Sequence, residues 1–118
     1  MNNIEAGMMG QREAENLLTE KGLRILERNY RSRIGEIDLI ALDGECVVFV
    51  EVKYRASIRY GYPRESVTRR KQRHIMTTAQ YYIQRMRLFD CGFRFDVVEV
   101  LRREDKSLEV THIENAFM

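Results

Sequence analysis

Cysteine is scarce in this chain and its two occurrences stand apart: Cys46 and Cys91 form no CxxC pair and neither lies in a Cys/His cluster. That usage argues against a disulfide framework or a zinc site and reads as two reduced, buried thiols. Histidine is as rare, and His74 and His112 are isolated, so both read as ordinary polar residues rather than metal ligands. No apolar run approaches the roughly 20 residues that span a bilayer, so no membrane partner is expected. The opening MNNIEAGMMGQREAE lacks the basic stretch and apolar segment of a secretory leader. Repeats, low-complexity tracts and internal linkers are missing too. These absences describe a cytoplasmic protein with a single domain over residues 1–118, of which 1–9 form a flexible N-terminus.

What is present is a globular composition, 44% apolar and 32% charged, with a net charge of +2 that hides an asymmetry. Between Lys53 and Arg73 lie eight basic residues, opposed only by Glu65. Such a segment is either the solvated face of a helix and its preceding loop or a footprint for a phosphate backbone. Gln11 to Lys21 has an apolar stripe at Ala14, Leu17 and Leu18 and a natural stop at Gly22, which predicts a helix. LRILERNYR alternates irregularly as a strand. Asp43-Gly44 between two apolar runs is a strong hairpin signal. SIRYGYPRE reads as a loop, Thr68 as the N-cap of a second helix to about Arg87, and FRFDVVEVL and Leu108 to Ile113 as two further strands. The order is α-β-β-β-α-β-β, an α/β fold. Lys71, four residues before Ile75, falls at the edge of the second helix's buried face.

The hairpin, GEIDLIALDGECVVFVEVKYR, carries its own puzzle: three carboxylates and an amine among apolar residues. With Asp43 and Gly44 as the central turn residues, Leu42 faces Glu45, Asp38 faces Phe49 and Glu36 faces Glu51. Glu36, Asp38, Glu51 and Lys53 then project from one side, with Asp38 and Glu51 as diagonal neighbours roughly 7–8 Å apart at the backbone. Ile37, Leu39, Ala41, Val48, Val50 and Val52 form the opposite, apolar surface. Carboxylates beside buried residues are costly unless paired. A divalent cation between Asp38 and Glu51 would relieve that cost, and so would a plain salt bridge to Lys53 on the sheet rim. The pattern alone leaves both readings open.

An Asp on one strand followed by Glu-x-Lys on the next, here Ile37-Asp38 and Glu51-Val52-Lys53, resembles the signature of the PD-(D/E)XK nuclease superfamily with its restriction-endonuclease-like fold. GEIDLIA, VFVEVKYR, SVTRRKQ with Ala79, FRFDVV and the closing HIENAF together resemble the uncharacterised protein family 0102, also called YraN-like, from about Gly10 to Phe117. The chain departs from that family's pattern in its first helix. Eleven residues before Gly22, where such proteins carry a Glu, it has Gln11; Glu15, one turn on, is the residue placed to substitute.

The resemblance implies a mixed sheet flanked by helices and a Mg²⁺- or Mn²⁺-dependent endonuclease. Asp38, Glu51, the carbonyl of Val52 and Glu15 would be the metal ligands, and Asp38, Glu51 and Lys53 the catalytic set. Glu36 and Gln11 are second-sphere candidates, with Glu36 better placed as a surface partner for a basic residue. Arg55, Arg59, Arg69, Arg70, Lys71 and Arg73 would hold the backbone of DNA, branched or damaged structures being the substrates considered, and junction cutting would call for a homodimer. Tyr54, Tyr60 and Tyr62 read as packing residues ahead of base-stacking ones. The competing expectation is a nucleic-acid-binding protein of the same fold without catalysis, which Gln11 favours.

Overall fold

The computed structural model describes residues 2–56 and 67–117. Two helices and five strands run in the expected order: α1 (Asn3–Glu20), β1 (Arg24–Arg31), β2 (Glu36–Asp43), β3 (Cys46–Arg55), α2 (Arg69–Met86), β4 (Gly92–Arg102) and β5 (Leu108–Ile113). The strands form one mixed sheet in sequential order, antiparallel except for β3 and β4, which run parallel. That one parallel pair needs a crossover, and α2 lies in it.

The two helices cover opposite faces. On one, Ala14 and Leu18 of α1 pack on Leu39, Ala41, Val48, Val50, Val98 and Val100. On the other, Ile75, Ala79 and Tyr82 of α2 pack on Ile37, Ile40, Val47, Phe49 and Phe95. β3 and β4 are apolar on both faces because both faces are covered, as expected where helices flank a sheet.

Helix α1 begins eight residues before Gln11, capped by Asn2, whose side chain accepts from the Glu5 N–H at 2.8 Å. It ends on Gly22 at φ +91°, where Gly22 N–H reaches the Thr19 carbonyl and Leu23 N–H the Leu18 carbonyl, with Leu18 and Leu23 both buried. This is a Schellman closure. Helix α2 starts from Thr68, whose hydroxyl accepts from Lys71 N–H at 3.2 Å. It closes the same way without a glycine: Arg87 takes φ +54°, and Leu88 N–H reaches the Ile83 carbonyl at 3.0 Å.

The hairpin register differs from the expected one. Asp43 pairs with Cys46 and Ile40 with Phe49, so Gly44 and Glu45 are the central turn residues. Gly44 has φ +60° and Glu45 has no positive φ, the glycine-first pattern of a type II′ turn; Asp43 stays in the strand, where its carboxylate accepts from Arg94 at 2.9 Å. A slip of two residues keeps every side chain on its face. The ladder ends at Leu39–Val50, one step short of Asp38 and Glu51.

Ile37 does not share a face with Leu39. Between the pairs Arg28–Leu39 and Tyr30–Ile37, strands β1 and β2 change face together: Arg28 turns to Glu15 of α1, while Tyr30 and Ile37 join the α2 side. Asn29, at φ +52°, sits within that step on β1, and Asp38 sits within it on β2. A bulge between Ile25 and Glu27 accounts for the irregular alternation of LRILERNYR.

Candidate functional site

The face change at Asp38 opens the sheet where β2 and β3 part. In place of a ladder bond, the Asp38 Oδ2 accepts the Val52 N–H at 2.8 Å, which fixes the carboxylate across the gap. Asp38 lines a cavity of about 1070 Å³ with Gln11 and Glu15 of α1 and with Val52, Lys53 and Arg55 of β3. Glu51, only 3% exposed, is met from the other helix: its Oε1 accepts from Lys71 of α2 at 2.8 Å and lies 3.5 Å from Lys53 Nζ. Lys53, which lines the cavity and touches Glu51, joins the two sides. The four groups are therefore not a flat row on one hairpin face but a cluster around the end of the β2–β3 ladder.

Their electrostatics follow from crowding. Burial, and then the nearby charge of Glu51, push the Asp38 carboxyl up to about 7, against the pull of the Val52 N–H and Lys71. Burial and the adjacent Lys71 ammonium lower Lys53, with Glu51 opposing. Burial acts to lower Lys71 as well, but its bond to Glu51 overrides this and the group is held above its ordinary value. Two carboxylates and two ammoniums thus share one desolvated pocket.

The remaining expected residues separate into groups. Glu15 and Gln11 do line the Asp38 cavity, but Glu15 is held by Arg28, whose Nε lies 3.0 Å from each of its oxygens and whose Nη2 bonds Oε1 as well. Glu36 pairs at the surface with Arg31 at 3.4 Å, as a partner for a basic residue should. Arg69, Arg70 and Arg73 are exposed along α2, and Arg55 is half-buried at the cavity. Arg59, Tyr60 and Tyr62 fall outside the described residues. Tyr54 is a packing residue: it joins the α1-side core, and a Cβ on Gly10 would come within 3.2 Å of the Tyr54 Cβ, a contact tight enough that the neighbour would have to give.

Sequence reasoning missed two features. His112 is not isolated: its Nε2 lies 2.7 Å from Asp96 Oδ2, both side chains being buried, and its Nδ1 lies 2.9 Å from Lys21 Nζ. An ammonium can only donate, so Nδ1 accepts and the Nε2–H donates to Asp96. Asp96 also takes Arg94 Nε at 3.1 Å and Asn115 N–H at 3.1 Å, tying β5 and the C-terminal turn to the sheet. Glu99, 5% exposed, stands level with Lys53 in the β3–β4 ladder. The available signal was an acidic residue within the apolar run FRFDVVEVL, which a buried strand tolerates only with partners.

Among the described residues no three His, Cys, Asp or Glu side chains gather as a metal site. The donors at hand are the two carboxylates of Asp38 and Glu51 with the nearby β3 backbone. None of the described helices is long and apolar enough to cross a membrane.

Residues 10–100 match the model of a family described as uncharacterised protein family UPF0102. The chain is 45% identical over 118 residues to a UPF0102 protein of Caldicellulosiruptor saccharolyticus, covering 99% of this chain and 100% of that one. It is 48% identical over 117 residues to one from Clostridioides difficile (99% and 100% covered) and 47% identical over 116 residues to one from Syntrophus aciditrophicus (98% and 90% covered).

Proposed function

The chain belongs to the uncharacterised protein family UPF0102, and from the site carried on that frame we propose that it is a metal-dependent nuclease hydrolysing phosphodiester bonds in DNA. The observation that carries this reading is the meeting of Asp38, Glu51 and Lys53 where β2 and β3 separate, beside the exposed arginines of α2.

The donor set suits a hard divalent cation. Mg²⁺ and Mn²⁺ take oxygen ligands and keep several waters, so two carboxylates and a backbone carbonyl are sufficient protein contribution. Asp38 supports the fit from its own chemistry: a carboxyl raised by burial and by a second carboxylate is one whose ionised form a cation would stabilise. Asp38, Glu51 and the Val52 carbonyl would hold the ion, which when bound lowers the pKa of a water and offsets charge on the phosphate.

The chain's own residues supply the rest. Val52 N–H orients Asp38 by binding one oxygen, which leaves the other to turn toward the pocket. Lys53, fixed on β3 and only 17% exposed, is placed to orient the attacking oxygen or to face the negative charge that develops on the phosphate. Arg55 at the cavity and Arg69, Arg70 and Arg73 along α2 hold the backbone without reading bases.

One observation favours a second reading, a nucleic-acid-binding protein that does not cut. Position 11 is Gln, and Glu15, the residue placed to replace a first-helix carboxylate, is occupied by Arg28. A single assay separates the two. Purified protein is incubated with supercoiled, single-stranded and branched DNA in Mg²⁺ or Mn²⁺, beside Asp38→Asn and Lys53→Ala. The nuclease reading expects nicking that both substitutions abolish while circular dichroism stays native. Binding without nicking by the unaltered protein, retained by both variants, would establish the second reading. Cleavage undiminished in both variants would remove this site from the chemistry.

A further inference from the structure

We propose that Lys71 is the built-in counter-ion of the site, occupying the position beside Glu51 that a divalent cation must take, and that cation binding releases it toward the phosphate backbone. The inference rests on the metal-site reading above and adds a regulatory role to it.

Both ammoniums converge on the same oxygen, Glu51 Oε1, Lys71 at 2.8 Å and Lys53 at 3.5 Å. Glu51 is buried, its side chain 4% exposed, so its charge needs a partner at all times. Lys71 provides one. A cation bound between Asp38 and Glu51 would provide another, and the two cannot share that oxygen without strong repulsion.

One lysine has somewhere to go. Lys53 is 17% exposed and sits on a central strand, whereas Lys71 is 43% exposed and comes from the first turn of α2. The backbone of Lys71 is pinned, because its N–H is the one that Thr68 caps. Its side chain can therefore swing while the helix stays in place. The direction open to it leads along α2, where Arg69, Arg70 and Arg73 are exposed. Lys71 in this arrangement is a positioning residue: it balances the buried Glu51 charge until the ion arrives, then adds one positive charge to the surface that meets the backbone. Metal loading and phosphate binding are thereby coupled.

The test is a Mn²⁺ titration of the full chain, read as the loss of the free-ion paramagnetic resonance signal, with Lys71→Met, Lys71→Arg and Glu51→Gln beside the unaltered protein. Removing a competing charge next to the ion should tighten Mn²⁺ binding roughly tenfold in Lys71→Met. Lys71→Arg should keep the original affinity, and Glu51→Gln should lose binding. Equal or weaker binding by Lys71→Met, with the unaltered protein still binding, overturns the counter-ion role and leaves the metal site standing. Absence of Mn²⁺ binding in the unaltered protein and in Lys71→Met overturns both. Should Lys71→Met fail to fold in chelator, Lys71→Gln is melted with and without Mn²⁺. A larger Mn²⁺-induced rise in Tm than in the unaltered protein supports the proposal, and an equal or smaller one refutes it.

Discussion

Asp38→Asn should make the protein more stable at alkaline pH, which is the reverse of what deleting a buried charge partner usually does. The carboxyl is raised from its ordinary 3.8 to about 7 by burial first and by Glu51 second. The folded chain therefore holds a proton that the unfolded chain has already lost, across the whole interval between those values. The stabilisation from that proton is complete below pH ~4 and disappears as pH rises through about 7. Each pH unit in the interval is worth about 1.4 kcal/mol, which gives an upper bound of about 4 kcal/mol and, after local relaxation, a working range of about 2–4 kcal/mol. Asparagine keeps an oxygen for the Val52 N–H, so the bond that spans the gap survives. Thermal unfolding followed by circular dichroism in the presence of a chelator, at pH 5 and pH 8, reads the effect. At pH 8 the variant should melt higher, by roughly 10 °C for a domain of this size. At pH 5, about one unit above the ordinary carboxylate value, only about a third of that difference should remain. Lys53 and Lys71 feel the Asp38 charge as well, so the pH dependence of the difference belongs to the cluster that Asp38 completes. A variant that is no more stable at pH 8, or a difference that ignores pH, would show that Asp38 is not held in a desolvated, like-charged pocket, and the electrostatic case for a cation there would go with it.

Two further outcomes concern the frame. Asp96→Ala should cost about 3–5 kcal/mol in urea denaturation, because it removes the buried acceptor of His112 Nε2 and Arg94 Nε and leaves Arg94 held by Asp43 alone; a loss below about 1 kcal/mol would mean water satisfies these groups instead. Arg87→Gly should stabilise by roughly 0.5–1 kcal/mol, since Arg87 ends α2 at φ +54° with a side chain that glycine does not carry; a destabilised variant would show that the arginine's own contacts outweigh the backbone strain.

Much of the fold was legible because it depends on local rules. Thr68 announces α2 through its hydroxyl, Gly22 ends α1 through its φ, and a covered sheet demands the apolar runs of β3 and β4. The chain also shows its punctuation where it breaks these rules: Arg87 closes a helix with no residue that signals it, and α1 runs back to Asn3 through a segment with little apolar periodicity.

The amino-acid sequence by itself determined the family, the order of elements and the identity of the charged residues at the β2–β3 junction, because capping, periodicity and turn chemistry act over a few residues. The parity of the hairpin also survived the misplaced turn, since a slip of two leaves faces unchanged. Only the tertiary structure decided that the β2–β3 ladder would stop short of Asp38 and Glu51, that Ile37 would leave the face of Leu39, and that Lys71, 20 positions beyond Glu51, would reach its carboxylate. It likewise joined Asp96 to His112 across the β4–β5 edge. These contacts depend on sheet twist, a left-handed Asn29 and the placement of a crossover helix, which are set by how the packed layers fit together rather than by any one segment's neighbours.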